Sequence, residues 1–323
     1  MAPVFEKVWE AAGPVRGCES PHWDAEAQCL YFVDLVGCKV VKYHPASKRT
    51  TSASFGKAMV NFAIPVAGRG DAFVAGRHRS VVLFEWDGVS SQPRLVQTLD
   101  EVQADAEGKD LHLNDGKADY RGRLWSGTMC GLDPGLSGGV LFNMDEDGKA
   151  RVRRTGVTMS NGLDFTPDGR TAFHVDSFKR VVNVLDVDPD TGDVLDYRPL
   201  LSFDAVRVPG LPDRMPPGLE GPKWTVPDGV ALDAEGKLWV AVFNGGMLVR
   251  VDPDTGAVMS TLAVPAKQVT SLAFGGADLD ELYVTSGRFF MADADLAKHP
   301  DSGAVFRVTG LGVKGRPGRP VRL

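Results

Sequence analysis

Five times along this chain, an acidic or carboxamide residue stands eleven or twelve positions before an aromatic residue in a short apolar segment. Turn-forming sequences lie between the members of most pairs. Such internal repetition is typical of folds built from stacked or radially arranged units. The pairs are Glu19 with Tyr31, Asn61 with Phe73, Asn114 with Trp125, Asn161 with Phe173 and Asp228 with Trp239, and a sixth copy, from Ser271 to Tyr283, keeps the spacing without an acid or amide.

Each of these segments is followed by a second apolar segment rich in β-branched residues, and often by a hairpin turn such as 188–192 or 252–256. Asp, Pro and Gly at these turns favour a tight reversal of the chain. Each unit therefore reads as about four short antiparallel strands, repeated six times. The pattern predicts an all-β fold, a six-bladed β-propeller in which 1–323 form a single domain. A stacked solenoid is the alternative, but it needs capping units and more uniform repeats.

Three segments depart from the repeat. We call the acidic or carboxamide residue that begins each pair its anchor. The longest interval between anchors contains a stretch rich in Pro and Gly at about 205–227, which cannot form a ladder strand and is expected to be an inserted loop near Asp228. Residues 4–9 precede the first anchor, and we expect this N-terminal strand to pair with the last unit and close the ring. The best helical segment, 293–299, is short.

The composition argues against some classes of binding partner and cellular location. The net charge is −6 and Lys and Arg are scattered, which argues against a nucleic-acid surface. No apolar run approaches the ~18 residues of a membrane span, and no secretory signal is visible. The four cysteines lack metal-site spacing, so free thiols in a reducing cytosol are expected, with a Cys18–Cys38 bridge as the alternative. We expect a cytoplasmic monomer or weak dimer that acts on a small molecule.

In a propeller the innermost strand of each blade lines the central channel, so the anchors that begin these strands should meet. Glu19 and Asp228 would supply two carboxylates, and Asn114 and Asn161 would supply amide oxygens. This donor set favours one divalent cation with a preference for oxygen, with Ca²⁺ first and Mg²⁺ or Mn²⁺ as alternatives. Zn²⁺ is less favoured because no Cys or His falls on an anchor position.

Several segments resemble the family of senescence marker protein, gluconolactonase and luciferin-regenerating enzyme, and in part its regucalcin branch. The resemblance implies a six-bladed propeller with one catalytic divalent metal, held by Glu19, Asn161 and Asp228. It also implies that Asn114 holds metal-bound water or substrate, and that Asp228 doubles as acid and base. The matching segments are 17–24 (GCESPHWD), 113–119 (LNDGKAD), 160–164 (SNGLD) and 227–241 (PDGVALDAEGKLWVA), with 243–246, 271–276 and 305–315 resembling regucalcins in particular.

Two positions depart from the family pattern. His112 stands where regucalcins usually have Arg, and Leu132 lies near the position of a Glu that grips substrate hydroxyls. The loss of a guanidinium donor and a carboxylate acceptor weakens the case for a polyhydroxylated sugar. We expect His112 to face the pocket because its neighbour Asn114 is an anchor.

The resemblance and the ligands together predict a metal-dependent hydrolase of cyclic esters, a lactonase similar to gluconolactonase. The ion would polarise the carbonyl while Asp228 transfers protons. One alternative is a calcium-binding regulatory protein similar to regucalcin, with little catalysis. Another is an organophosphate hydrolase similar to diisopropylfluorophosphatase. Ser160 is set aside as a nucleophile because no base is spaced to activate it, and His174 is expected to be structural or on the surface.

Overall fold

The computed structural model describes residues 2–103, 111–133, 135–211 and 224–323. In this part of the chain nearly all regular structure is β-strand, accompanied by one short helix, α1 (Asp293–Lys298), and a 3₁₀ turn at Ser177–Lys179. The helix falls in the segment with the best helical pattern. No helix in these ranges is long and apolar enough to cross a membrane. The fold is therefore all-β, as predicted.

The strands are short and follow one another closely, as the alternating segments and turns of the sequence predict. In chain order they are β1 (Val4–Glu10), β2 (Arg16–Asp24), β3 (Cys29–Asp34), β4 (Lys39–His44), β5 (Arg49–Ser54), β6 (Phe62–Val66), β7 (Arg69–Arg77), β8 (Ser80–Glu85), β9 (Arg94–Glu101), β10 (Leu111–Ala118), β11 (Leu124–Cys130), β12 (Gly139–Met144), β13 (Ala150–Val157), β14 (Ser160–Phe165), β15 (Thr171–Asp176), β16 (Val181–Val187), β17 (Val194–Ser202), β18 (Val226–Leu232), β19 (Leu238–Phe243), β20 (Met247–Val251), β21 (Val258–Ala263), β22 (Gln268–Gly275), β23 (Glu281–Arg288) and β24 (Ala304–Thr309).

Sequential strands pair in antiparallel groups of four. The groups β6–β9, β10–β13, β14–β17 and β18–β21 are separate sheets. The remaining eight strands form one sheet, in which β2–β5 lie on one side and β22, β23, β24 and β1 on the other. Only two residue pairs, Arg16 with Arg288 and Gly17 with Gly287, join β2 to β23. The eight-stranded sheet thus consists of two further groups of four, joined at a corner.

The N-terminal strand pairs with the last strand in sequence, as predicted. β1 runs antiparallel to β24, from Val4 opposite Thr309 to Glu10 opposite Ala304, with a register shift between Lys7 and Trp9. This pairing covers the outer edge of β24, which would otherwise present unpaired N–H and C=O groups. The first and last strands of the chain are therefore tied into one sheet.

No residue of the first strand of each group is exposed, whereas every fourth strand contains exposed residues. All seven residues of β18 are buried, whereas β9 and β13 are mostly exposed. The first strands also contact one another in order: β2 with β6, β6 with β10, β10 with β14, β14 with β18, β18 with β22, and β22 with β2. Because the first strands meet in this order, their ends lie close together although they are far apart in sequence.

The segment after β24 crosses the end of the first strands that is remote from the anchors. Gly315 donates its N–H to Leu279 and Lys314 accepts from Ala234, while Val321 exchanges hydrogen bonds with Pro65 and Ala67. A Cβ on Gly315 would lie 1.8 Å from the Phe274 ring, so this close packing requires glycine. The C-terminal segment therefore covers this end of the first strands.

The inserted loop predicted at about 205–227 lies mainly outside the described residues, which stop at 211 and resume at 224. Its last two residues belong to β18, which begins at Val226. Asp228 is the third residue of that strand.

Candidate functional site

All five residues predicted for the site line one cavity of about 370 Å³. They lie on four different first strands that are separated in sequence by up to about two hundred residues. Asn61, which precedes β6, and Thr270 of β22 line the same cavity. The residues are Glu19 on β2, His112 and Asn114 on β10, Asn161 on β14 and Asp228 on β18.

Each anchor on a first strand lies where the strand pairing is irregular. The register of the four strands shifts between Glu19 and His22, Leu113 and Gly116, Ser160 and Leu163, and Pro227 and Val230. An irregularity of this kind bends the strand and redirects a side chain out of the alternating pattern. A similar register shift in each of the four strands therefore turns the anchor toward the cavity.

The small residues that follow the anchors allow neighbouring first strands to approach closely. A Cβ on Gly162 would lie 2.6 Å from the backbone oxygen of Asp228, and one on Gly229 would lie 2.2 Å from the Ser271 hydroxyl. The close approach at these glycines is thus between neighbouring first strands. In the sixth repeat Ser271 packs against this glycine, and Thr270 lines the cavity instead.

Hydrogen bonds fix the two asparagines. The Asn114 amide nitrogen donates to the Asn161 side-chain oxygen at 2.8 Å and to the Ser160 carbonyl at 2.7 Å. Asn161 donates to the Ser177 hydroxyl, which in turn donates to the Pro227 carbonyl. The amide nitrogens are therefore used within the protein, and the Asn114 oxygen accepts none of the described hydrogen bonds.

The carboxylates of the cavity repel one another. Burial and the charge of Asp115 raise the pKa of Glu19 well above its ordinary value, against one lowering contact, the Ser20 N–H. Burial and the charges of Glu19 and Asp115 raise the pKa of Asp228 in the same way. Within the described residues neither Glu19 nor Asp228 forms an ion pair with a Lys, Arg or His. The described part of the chain thus supplies two acidic groups here without a compensating cation.

Asp115 also belongs to this charge cluster, although the repeat pattern of the sequence does not indicate it. Burial raises its pKa to about 6, and its carboxylate accepts the Gly116 N–H at 2.9 Å. It lines a second cavity at the other end of the strand, together with Lys117. Its position directly after the Asn114 anchor was the available signal, but strict alternation along a strand directs neighbouring residues to opposite faces.

These residues fit a hard divalent cation. Two recessed carboxylates and nearby amide oxygens form an oxygen donor set, and the buried Asn61 side-chain oxygen has no hydrogen-bond partner. In the described ranges no group of three or more His, Cys, Asp and Glu side chains is placed to hold a metal ion. Amide oxygens would therefore have to complete the coordination of any ion bound here.

The expectation that no base lies near Ser160 was wrong. His174 on the neighbouring strand β15 places its Nε2 atom 2.9 Å from the Ser160 hydroxyl, and its Nδ1 atom 2.8 Å from the Tyr197 hydroxyl. Both Ser160 and His174 are fully buried, and burial lowers the pKa of His174 to about 4. Neither side chain lines the cavity, so the pair supports the strand that carries Asn161.

Comparisons with known proteins agree with this architecture. The family model "SMP-30/Gluconolactonase/LRE-like region" matches residues 18–288. Regucalcin from Danio rerio is 35% identical over 300 residues, which cover 93% of this chain and 92% of that protein.

Solved structures extend the likeness to three dimensions. A luciferin-regenerating enzyme is 38% identical, with a TM-score of 0.87 and complete coverage of both chains. A regucalcin from Agrobacterium tumefaciens, described as a calcium-binding protein, is 25% identical, with a TM-score of 0.80 and coverage of 99% and 98%. A β-propeller domain of Myceliophteria thermophila Cps50 shares the fold at 12% identity, with a TM-score of 0.56 and coverage of 91% and 83%.

Proposed function

The chain belongs to the SMP-30/gluconolactonase/LRE-like family, and from that premise we propose that it is a divalent-metal-dependent hydrolase of cyclic esters. The observation that carries the proposal is the convergence of Glu19 and Asp228 with two amide side chains on one cavity, where no cation from the described residues pairs with them. A buried pair of like charges is costly unless a ligand of opposite charge compensates it.

The fold in this proposal is a six-bladed β-propeller with the site at its centre. Six antiparallel groups of four strands, and the cyclic order of contacts among their first strands, support it. The pairing of β1 with β24 would close the ring, and the likeness to a known β-propeller domain agrees.

Glu19, Asn161 and Asp228 would hold the ion, with Ca²⁺ as the first candidate and Mg²⁺, Mn²⁺ or Zn²⁺ as alternatives. When bound, such an ion polarises the ester carbonyl and offsets the negative charge that develops on its oxygen. Asn114 is already oriented by its bonds to Asn161 and Ser160, so its free oxygen would orient the attacking water or the substrate. His112, on the same strand, would contact the substrate.

Asp228 would move the proton. As the water oxygen forms its bond to the carbonyl carbon, the Asp228 carboxylate accepts a water proton. When the ring C–O bond breaks, the same carboxyl returns this proton to the departing alkoxide. The product is one hydroxy acid, and the enzyme ends in its starting protonation state.

Lactone hydrolysis by metal-stripped and Ca²⁺-reloaded protein tests the proposal. We expect turnover only after reloading, and an Asp228→Asn variant that is inactive even when loaded. Asp164→Asn is the matched control because Asp164 also lies on a first strand, β14, but outside the cavity. Its carboxylate accepts the Leu232 N–H and pairs with Lys117. Near-normal turnover by metal-loaded Asp228→Asn would remove Asp228 from its role as the base.

A second candidate is a calcium-binding regulatory protein with little catalysis, which the likeness to the Agrobacterium tumefaciens regucalcin favours. The same experiment separates the two functions. Stoichiometric Ca²⁺ binding with no turnover across a panel of lactones would support the regulatory function over the hydrolase.

A further inference from the structure

We propose that the substrate is an apolar cyclic ester, a lactone that carries an alkyl or aryl group, instead of a polyhydroxylated sugar lactone. The inference rests on the proposed hydrolase function and adds the substrate class to it. It follows from the walls and the rim of the cavity, whereas the proposed chemistry depends on the anchors at its floor.

The described walls above the anchors are mainly apolar. Eight of the lining residues are methionine or aromatic, and the described residues that line the cavity include no Arg, Lys, Ser, Tyr or Gln. Apart from the Trp224 indole, the polar side chains of the lining are the anchors, His112 and Thr270. The principal wall residues are Met59, Met129, Met159, Phe178, Trp224 and Phe289.

One side of the wall is a packed cluster. The ring of Phe178 meets Trp224 edge to face, with their centroids 4.8 Å apart, and Met129 and Met159 pack against them. The two rings hold each other's orientation, and the flexible thioethers can adapt to ligands of different shape. Such a surface can bind apolar groups of different shapes.

The rim of the cavity is apolar as well. Phe290 is 72% exposed, Leu132 is 54% exposed and Met59 is 46% exposed, and all three line the mouth of the same cavity. Exposed apolar side chains grouped at a pocket mark a binding surface. A chain that leaves the cavity would therefore keep apolar contact as far as the rim.

A sugar would lose more than it gains here. Each hydroxyl turned toward these walls would give up its water without finding a partner, which costs binding energy. Each additional methylene of an alkyl lactone would instead be buried, and the corresponding gain is about fourfold in binding per methylene. The cavity thus discriminates by the apolar part of the substrate.

Alkyl γ-lactones of increasing chain length test the inference with the Ca²⁺-loaded protein. We expect kcat/KM to rise by up to about fourfold per methylene until the chain reaches the rim, and to be higher for the long-chain lactones than for glucono-δ-lactone. Phe290→Ser should reduce the gain per methylene. Val89→Ser is the control, since Val89 is 71% exposed but lies outside the cavity, and its gain should match the parent.

Binding of 2-alkylcyclopentanones, which cannot be hydrolysed, gives a second readout through tryptophan fluorescence or calorimetry. Affinity that rises with chain length while no lactone is hydrolysed would support the apolar ligand and overturn the hydrolase. Efficient hydrolysis of glucono-δ-lactone together with a flat response to alkyl length would keep the hydrolase and overturn this inference.

Discussion

Asp228 lies near the start of β18 and Asp233 directly after its last residue, and both are buried, yet their surroundings differ completely. Asp233 accepts hydrogen bonds from the Trp239 indole at 3.0 Å, from the Arg250 guanidinium at 2.6 Å and from the Lys237 N–H at 2.8 Å. None of the described hydrogen bonds reaches the Asp228 carboxylate. The buried Asp233 carboxylate thus stabilises the fold through its hydrogen bonds, whereas the buried Asp228 carboxylate is available to a ligand.

The same contrast recurs along β10. Asp119, directly after the strand, accepts from the Trp125 indole at 2.9 Å and from two backbone N–H groups. Asp115, which follows the Asn114 anchor on this strand, accepts one backbone N–H and adds to the repulsion around Glu19 and Asp228. The remote end of the first strands therefore contributes stability. The cavity end keeps charge that a ligand can use, at a cost in stability that is typical of functional sites.

The largest expected effect is on stability at the remote end. Asp233→Asn removes the buried charge that pairs with Arg250, which keeps its exposed partner Glu235, so we expect the free energy of unfolding to fall by about 3 kcal/mol, the lower end for a buried ion pair. Asp228→Asn removes like-charge repulsion and should leave the stability of the metal-free protein equal or higher. Urea unfolding of both variants measures the difference. An equal loss of unfolding free energy in the two variants would contradict the proposed difference between the cavity end and the remote end of the first strands.

Calcium should stabilise the protein through the cavity end alone. At an ion concentration of about 100 times Kd, binding to the native state adds about 2.7 kcal/mol to the free energy of unfolding. We expect a corresponding rise in Tm for the parent and for Asp164→Asn, and none for Asp228→Asn or Glu19→Gln. A rise that persists in Glu19→Gln would locate the ion elsewhere.

The buried His174 predicts a pH dependence. Its pKa is about 4 in the folded protein and about 6.5 when unfolded, so between these values the unfolded chain binds a proton that the folded protein does not. This contribution to stability is constant above pH 6.5 and falls by up to about 1.4 kcal/mol per pH unit as pH drops toward 4. His174→Gln should show a shallower loss of stability in urea titrations at pH 7.5, 6 and 5. An identical slope would mean that His174 is protonated in the folded state.

The smallest effect concerns the C-terminal segment. Arg319 lies over the Tyr120 ring, 3.3 Å from its centroid, at the end remote from the cavity. Arg319→Ala should lower the free energy of unfolding by about 0.5–1 kcal/mol. Lactone hydrolysis per folded molecule should stay at the parental rate, and a fall in kcat would show that the two ends are coupled.

The sequence predicts the features that are local and periodic. The turns and alternating segments predict the antiparallel groups, and the spacing of the anchors predicts that Asn161 and Asp228 line one cavity. The pairing of residues 4–9 with the last strand follows from the need to cover an edge. The antiparallel groups depend on hydrogen-bonding geometry that each repeat carries within itself.

Other features depend on register and on irregular segments. Asp115 was missed because the shift between Leu113 and Gly116 breaks the alternation of side chains. The contact of His174 with Ser160 depends on how β14 and β15 align. The apolar wall comes from residues such as Phe178 and Phe289, which lie beyond strand ends and have no period to reveal them.

Isothermal titration of Ca²⁺ into metal-stripped protein is the decisive test of the metal site. We expect one ion per chain in the parent and in Asp164→Asn, and a large loss of affinity in Glu19→Gln, Asn161→Ala and Asp228→Asn. Unchanged Ca²⁺ affinity in these three variants, or no binding of Ca²⁺, Mg²⁺, Mn²⁺ or Zn²⁺ by the parent, would contradict this expectation.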